Sequence, residues 1–393
     1  MSKGRSAFEK RLRRHVIGRE QNFFAVVTPG LEAICRTELN ELGVSAAAMA
    51  TETGGVHFSG KLPLLYAANL HLRTAGRILM RIAAFKAAHF SQLEARAAAV
   101  DWALYLKPAQ PVRVHVTTRR CRLYHKGAVG ERIQGVIAKQ IGPVPSGGAD
   151  STQRLFVRGV GDGFTLSLDS SGSMLHKRGI KQDVGRAPIR ETLAAGALMM
   201  AGHPPGMPVV DPMCGNGTFS LEAAMMAAGV PPGWHRAFAF TEWPGFSSPT
   251  WRHIRKIAGE RMAADASAPT VFASDLRADA VAALKQIAAQ MGVGGRIAPA
   301  VRDFFAIDGG RMPGGAGTLV LNPPFGRRLG RRHDILEDYH RIGDHLRIAF
   351  PGWRVALFCP AETAPVFKGL QLQQTPVPHG GLRLILLTGR IPG

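Results

Sequence analysis

The segment that most constrains this chain is Asp211-Pro212-Met213-Cys214-Gly215-Asn216-Gly217-Thr218. It follows the apolar run Pro208-Val209-Val210 and opens a helical pattern over Thr218 to Ala228. Glycines between a strand and a helix let the backbone turn tightly and approach a ligand with no Cβ in the way. Such a turn commits its surroundings to an α/β unit, and ligands in open α/β sheets sit at the carboxyl ends of the strands. The segment is not the full dinucleotide fingerprint. It is not a phosphate loop either, because no Lys-Ser/Thr pair follows. An acid at its start suits a ligand carrying an ammonium and a sulfonium better than one carrying phosphates.

From about residue 186 onward, strand and helix patterns alternate around this turn. Val271-Phe272-Ala273 reads as a strand ending at Ser274-Asp275, Asp279 to Met291 as a helix, and Thr318 to Leu321 as a strand ending at Asn322. Trp353 to Phe358 and Leu382 to Leu387 are the last two strands. The alternation predicts a mostly parallel, doubly wound sheet. Asp275 stands where a carboxylate accepts both hydroxyls of an adenosine ribose. Its distance from Gly217 is long for a simple βαβ unit, so residues 229–269 are expected to be an insertion. Asp303, in Val301-Arg302-Asp303-Phe304, is placed to accept from an adenine amino group with Phe304 nearby.

Asn322-Pro323-Pro324-Phe325, with Gly326 behind it, follows the next strand. An exocyclic base amine is a poor nucleophile because its lone pair is delocalised into the ring. An Asn side-chain oxygen and a neighbouring carbonyl can accept from its N–H groups and draw the nitrogen toward tetrahedral geometry. Two prolines stiffen the loop that holds those acceptors. The Phe ring offers a stacking face for a base. This set needs a reactive methyl donor and orientation rather than a metal or a strong general base.

The net charge of +21 points to a polyanionic partner. Cations gather in residues 1–21, read as a basic arm that is mobile or partly helical, and in Arg119, Arg120, Arg122 and Lys126. Between them, strands are read at Phe23–Val27, Gly55–Phe58 and Val112–Val116, with helices at Leu31–Leu42, Leu62–Leu72 and Gly130–Ile141. Further strands follow at Leu155–Val157 and Phe164–Leu168, after a loop at Pro143–Gly148. Strand and helix in this order suit small α+β domains. The four cysteines, Cys35, Cys121, Cys214 and Cys359, have no metal-ligand or redox spacing, so no metal is expected. With no long apolar run and no signal-peptide core, the expected location is cytoplasmic.

Together these residues resemble the class I methyltransferases that carry an N-terminal THUMP domain. Thr28-Pro29-Gly30-Leu31-Glu32 is similar to part of the small ferredoxin-like domain that opens those proteins, and Gly54-Gly55-Val56-His57-Phe58 to a hallmark strand. Leu175-His176-Lys177-Arg178-Gly179 and Ala187-Pro188-Ile189-Arg190-Glu191-Thr192-Leu193-Ala194-Ala195 are similar to the segment joining the two halves. Within the family the likeness is strongest to guanine-N2 methyltransferases of 23S ribosomal RNA, and it includes Gly233-Trp234-His235-Arg236.

The resemblance implies a basic arm at 1–21, a ferredoxin-like domain at 22–75, a THUMP RNA-binding domain at 76–175 and a Rossmann-like catalytic domain at 176–393. It implies S-adenosylmethionine as cofactor, held by Thr192, Asp211 to Gly217, Asp275, Asp303 and Asn322. RNA, ribosomal or transfer, is the implied partner, with Lys177 and Arg178 joining the Arg119–Lys126 cluster in holding it. Transfer-RNA guanine-N2, DNA adenine and protein glutamine methyltransferases share the chemistry or the Asn-Pro-Pro-aromatic motif. An RNA-binding assembly factor with an inactive methyltransferase fold is the alternative outside enzymes, against which the intact Asn322 to Phe325 motif stands.

Overall fold

The computed structural model describes residues 2–142, 153–180, 189–262, 268–324, 332–379 and 382–393. The loop read at 143–148, Ala187, Pro188, Phe325 and Gly326 lie outside the described residues. The chain forms two compact units. The first comprises Met1–Val27, Arg36–Leu175 and Ala237–Lys256; the second comprises Thr28–Cys35, His176–Arg236 and Ile257–Gly393.

The strands of the first unit are β1 (Gln21–Val27), β2 (Met49–Glu52), β3 (Gly55–Gly60), β4 (Ala75–Lys86), β5 (Val112–Arg119), β6 (Gln153–Val160) and β7 (Gly163–Asp169). They make one sheet in the order β2-β3-β1-β4-β7-β6-β5, antiparallel except for the β5–β6 pair. The helices up to this point are α1 (Ser2–Leu12), α2 (Glu32–Glu41), α3 (Leu62–His71), α4 (Phe90–Ala98) and α5 (Lys126–Ile141). Alternation decides the faces. Phe23, Phe58, Met80, Leu168 and Leu155 oppose one another across five strands and are all but fully buried. The sequence reading did not find β4, the central and longest strand of the seven. Its alternation is broken by a bulge between Arg81 and Ala83, which shifts the period that marks a strand.

The basic arm is helical and anchored. After α1 a π-helical turn runs over Arg13–Ile17, Leu12 and Val16 are buried, and Gln21 donates to the carbonyl of His15 at 2.9 Å. The chain from Ala237 to Lys256 is also packed into this unit. Tyr66 of α3 stacks on Phe240 at 4.6 Å, and Trp243 Nε1 donates to Gln153 Oε1 at 2.9 Å.

The second unit contains α6 (Glu191–Met200), β8 (Val209–Asp211), α7 (Thr218–Ala227), β9 (Val271–Asp275), α9 (Ala278–Gln290), β10 (Ile297–Val301), β11 (Thr318–Leu321), α10 (Arg332–Ala349), β12 (Arg354–Pro360), β13 (Gln373–His379) and β14 (Leu382–Arg390). Between α7 and β9, α8 (Ser248–Glu260) has residues assigned to both units. The sheet runs β10-β9-β8-β11-β12-β14-β13. Its first five strands are parallel, and β14 runs antiparallel to both its neighbours. Strand order reverses between β8 and β11, which opens a crevice at their carboxyl ends. The sequence missed β13. It carries Pro376 and Pro378, which a strand tolerates at a sheet edge, where a missing N–H breaks no ladder.

Candidate active site at the carboxyl ends of the second sheet

β8 delivers Asp211 to the sheet edge with 1% of its surface exposed. Its carboxylate accepts from the backbone N–H of Ser220 at 3.2 Å and from its Oγ at 2.6 Å. Burial pushes its pKa up to about 7 against those two bonds, and Asp275 adds to the rise. Asp211 therefore braces the first turn of α7. The glycine loop leaves β8 between these groups. Gly215 has φ +51° and Gly217 φ +81°, a region that favours glycine. A Cβ on Gly217 would stand 2.3 Å from Leu284 Cδ1, whereas one on Gly215 would meet no heavy atom within 4 Å. Gly217 is thus fixed by packing against α9, while Gly215 faces open space of the kind a ligand needs.

Asp275 ties the end of β9 to this loop. One oxygen accepts from Gly215 N at 2.9 Å and the other from Arg277 N at 3.0 Å. Each oxygen keeps a lone pair for a further donor. The loop is also pinned through its backbone, Cys214 N donating to Ser274 O at 2.9 Å. The Cys214 thiol is driven upward in pKa by burial and by the two nearby carboxylates, so it stays protonated. Met213 packs on the apolar cluster around Trp353. Thr192, in the first turn of α6, is 3% exposed.

Asn322 leaves the carboxyl end of β11, the strand next to β8. Its Oδ1 is buried and has no hydrogen-bond partner among the described residues. A buried acceptor left unsatisfied costs roughly 1–3 kcal/mol, a cost that a ligand N–H would remove. Pro323 is buried and Pro324 exposed. Asp303 follows Arg302, whose backbone N–H donates to the carbonyl of Asp275 at 3.1 Å. It is exposed, and its Oδ1 caps a short turn by accepting from Phe305 N at 3.1 Å. Phe304 is 2% exposed and packs against His345 and Phe350, so its ring belongs to the core and not to a ligand site.

Residues 178–375 match the RMKL-like methyltransferase domain, and residues 22–79 match the RlmL ferredoxin-like domain. The chain belongs to the RMKL-like methyltransferase family. It is 34% identical over 374 residues to a Synechocystis protein with the provisional name RNA methyltransferase, covering 93% of this chain and 95% of that one. It is also 34% identical to the ribosomal RNA large subunit methyltransferase K/L of Methylococcus capsulatus, covering 86% of this chain but only 46% of that protein. A provisionally assigned methyltransferase solved in complex with S-adenosylhomocysteine superposes with a TM-score of 0.83 at 25% identity, over 95% of this chain and 98% of that one.

The remaining residues singled out in the sequence of this RMKL-like chain divide in two. Arg119, Arg120, Arg122 and Lys126 are exposed in the first unit, and Lys177 is exposed in the second. Arg178 is not among them. Its guanidinium is 2% exposed and bonds Glu222 Oε1 at 2.7 Å, so it faces inward and is not available to an RNA phosphate at the surface. Two carboxylates escaped the sequence reading. Glu222 is the single charged residue of the apolar helix α7, and a charge in such a place needs a buried partner. Glu191 opens α6, and burial pushes its pKa up to about 7.

Two quoted segments, His176–Gly179 and Gly233–Arg236, meet. Arg236 donates to the carbonyl of Lys177 at 3.0 Å. A Cβ on Gly179, at φ +98°, would lie 2.2 Å from the carbonyl oxygen of His235. Among the described residues no group of three or more His, Cys, Asp or Glu is arranged to hold a metal, and no helix is long and apolar enough to cross a membrane.

Proposed function

We propose that this protein transfers a methyl group from S-adenosylmethionine to the exocyclic N2 of a guanine in RNA, with large-subunit ribosomal RNA as the substrate and the cytoplasm as its place of action. The observation that carries the reading is the buried, unpartnered Oδ1 of Asn322 at the end of β11. The name of the Methylococcus relative supports the choice of RNA, as does the match of residues 22–79 to the RlmL ferredoxin-like domain. We assign residues 22–75 and 76–175 to RNA capture and 176–393 to catalysis.

When bound, S-adenosylmethionine supplies a methyl carbon made electrophilic by its sulfonium. Asp275 accepts from the ribose hydroxyls with the lone pairs that the loop N–H groups leave open. Asn322 Oδ1 accepts one N–H of the guanine amine and so aims the nitrogen lone pair along the line of transfer. Pro323 and Pro324 restrict the loop, so that the acceptor is in place before the base arrives. Phe325 stacks on the base. As the N–C bond forms, the bond from the methyl carbon to sulfur would break with its electron pair leaving on sulfur as a neutral thioether, and the cationic nitrogen then loses its proton to water without a strong base.

The test is to incubate the protein with labelled S-adenosylmethionine and, separately, ribosomal RNA, transfer RNA and DNA, then to analyse the nucleosides by mass spectrometry. N2-methylguanosine from ribosomal RNA is expected. Label only in transfer RNA would move the substrate and keep the chemistry, whereas label at adenine or in DNA would overturn the reading.

A further inference from the structure

On the face of the first sheet opposite its core, among the described residues, Asn22, Arg113 and Arg158 are exposed and Arg81, Phe156 and His115 partly so, while Gly172 lies against Arg77 and Arg154. One row of directly opposed residues crosses six strands on that face: Ser59, Asn22, Arg81, Ser167, Phe156 and His115. At about 4.8 Å per strand the row is roughly 24 Å wide. An ordinary exposed sheet face carries scattered polar groups. This one carries cations and imidazoles packed against aromatic rings, with His57 tilted 55° to Phe24 and His115 stacked on Phe156. The Arg81 guanidinium lies 4.7 Å above the Phe24 ring, and His57 contacts the same ring at 4.7 Å. Further along, His115 stacks on Phe156 at 5.1 Å with 19° between planes, and Arg77 lies 5.3 Å over that ring.

The outer sides of this second tier border two adjoining grooves. One, of about 500 Å³, is lined by His57, Ser59, Asn22 and Arg81; the other, of about 470 Å³, by Lys86, Arg158 and Val160; both reach Ala84 and Thr165. Each lies in the range of ligand sites, about 300–1,000 Å³. Among the described residues, Arg81 Nε at the first groove and His115 Nε2 outside both grooves are buried with no hydrogen-bond partner.

Charge narrows the occupant. Arg113, Arg158 and Lys86 are exposed on or beside the face, with Arg154 partly so. Of the two acids, Asp169 is fully buried against Arg77, and Glu52 is shared by Arg158 and His57. Burial and then the neighbouring Arg81 hold His57 below the usual histidine range, so its ring meets a ligand neutral, as a stacking and hydrogen-bonding surface.

We infer that this open face is a stacking platform for single-stranded RNA, with bases laid on the Arg81–His57 and His115–Phe156 tier and phosphates on Arg158, Lys86 and Arg113. Cation and aromatic side chains grouped on a sheet suit unstacked bases, and sheet faces are used in this way elsewhere. A duplex hides its base faces, so it could reach only the rim. The inference rests on RNA being the substrate.

The experiment measures fluorescence anisotropy with a labelled 12-nucleotide RNA, single-stranded or annealed to its complement. Wild-type protein should bind the single strand several-fold tighter. Arg81→Ala should lose about tenfold in single-strand affinity, the equivalent of about 1.4 kcal/mol, within the range for one stacked base. Arg158→Gln is exposed enough to leave folding intact. It should lower the slope of log affinity against log salt by about 0.7, one phosphate contact. Calorimetric S-adenosylmethionine affinity checks that each variant is folded. Wild-type affinity and slope in both folded variants, or preference for the duplex, would overturn the platform while RNA binding itself stood. A wild-type protein that binds neither RNA would instead defeat the substrate assignment.

Discussion

The chain contains two seven-stranded sheets that use charge in opposite ways. The first leaves its cations half open on aromatic rings along a sheet face, with Arg158 paired to Glu52 at 53% and 37% side-chain exposure. The second buries an ion pair between Arg178 and Glu222 that is 2% and 1% exposed. An antiparallel sheet can present one face to water, whereas strands of a doubly wound sheet present only their ends. The first sheet therefore offers a broad surface for a long polyanion. The second offers a narrow edge where a few dipoles and carboxylates are fixed. The proposed division between capture and chemistry follows that line.

The contrast is most easily broken by stability. Arg178→Ala leaves Glu222 charged inside α7 and should cost about 3–5 kcal/mol in urea unfolding. Arg158→Ala removes an exposed pair and should cost about 1 kcal/mol or less. Equal losses would show that the two pairs do not differ in kind. Asp275→Ala comes next. It removes a charged acceptor for two ribose hydroxyls, each such bond contributing about 1.5–3 kcal/mol, so calorimetry should show at least roughly tenfold weaker S-adenosylmethionine binding. Wild-type affinity would remove Asp275 from the cofactor site.

A smaller effect follows from Glu191. Its carboxyl titrates near 4.5 when exposed and about 7 in the folded protein. A raised pKa means the folded state binds the proton more tightly. Its stabilising contribution is complete below about pH 4.5 and is lost as pH rises through 7. Asp211 acts in the same direction, while His176, held at about 4 by burial and neighbouring arginines, acts in the opposite one. The comparison is therefore with Glu191→Gln. Wild-type protein should lose more unfolding free energy than this variant between pH 5 and 7.5, and matching pH profiles would contradict the assignment. The smallest effect is expected at the rim of the first unit. Arg120→Ala should flatten the salt dependence of RNA binding by about 0.7, one phosphate contact. An unchanged slope would show that Arg120 only decorates the surface.

What was legible in the sequence follows the same division. The turn from Asp211 to Thr218 was readable because strand, special residues and helix are contiguous, and Asn322 because it directly follows a strand. The pairing of Arg178 with Glu222 was hidden because it joins residues 44 apart. A linear reading sees a cation in a basic stretch and gives it to solvent. The open face was hidden for the same reason. Arg81, Phe156 and His115 meet only through strand register, and the bulge in β4 obscured the strand that connects them. Phe304 shows the converse. Its placement at a strand end was legible, but its ring packs into the core, while Asp303 beside it stays exposed with one oxygen capping a short turn.

The central claim is that the second sheet's edge performs the chemistry while RNA capture lies elsewhere. It is tested most directly by Asn322→Ala in single-turnover methylation of a guanine-containing ribosomal RNA fragment, with equilibrium binding measured beside it. An acceptor that matters most as the nitrogen becomes tetrahedral acts on the rate more than on affinity. Loss of one preorganised polar contact of this kind costs about 100-fold or more. The account predicts that loss in rate, with RNA affinity within about twofold of wild type. Methylation at the wild-type rate, or a fall in affinity as large as the fall in rate, would contradict it.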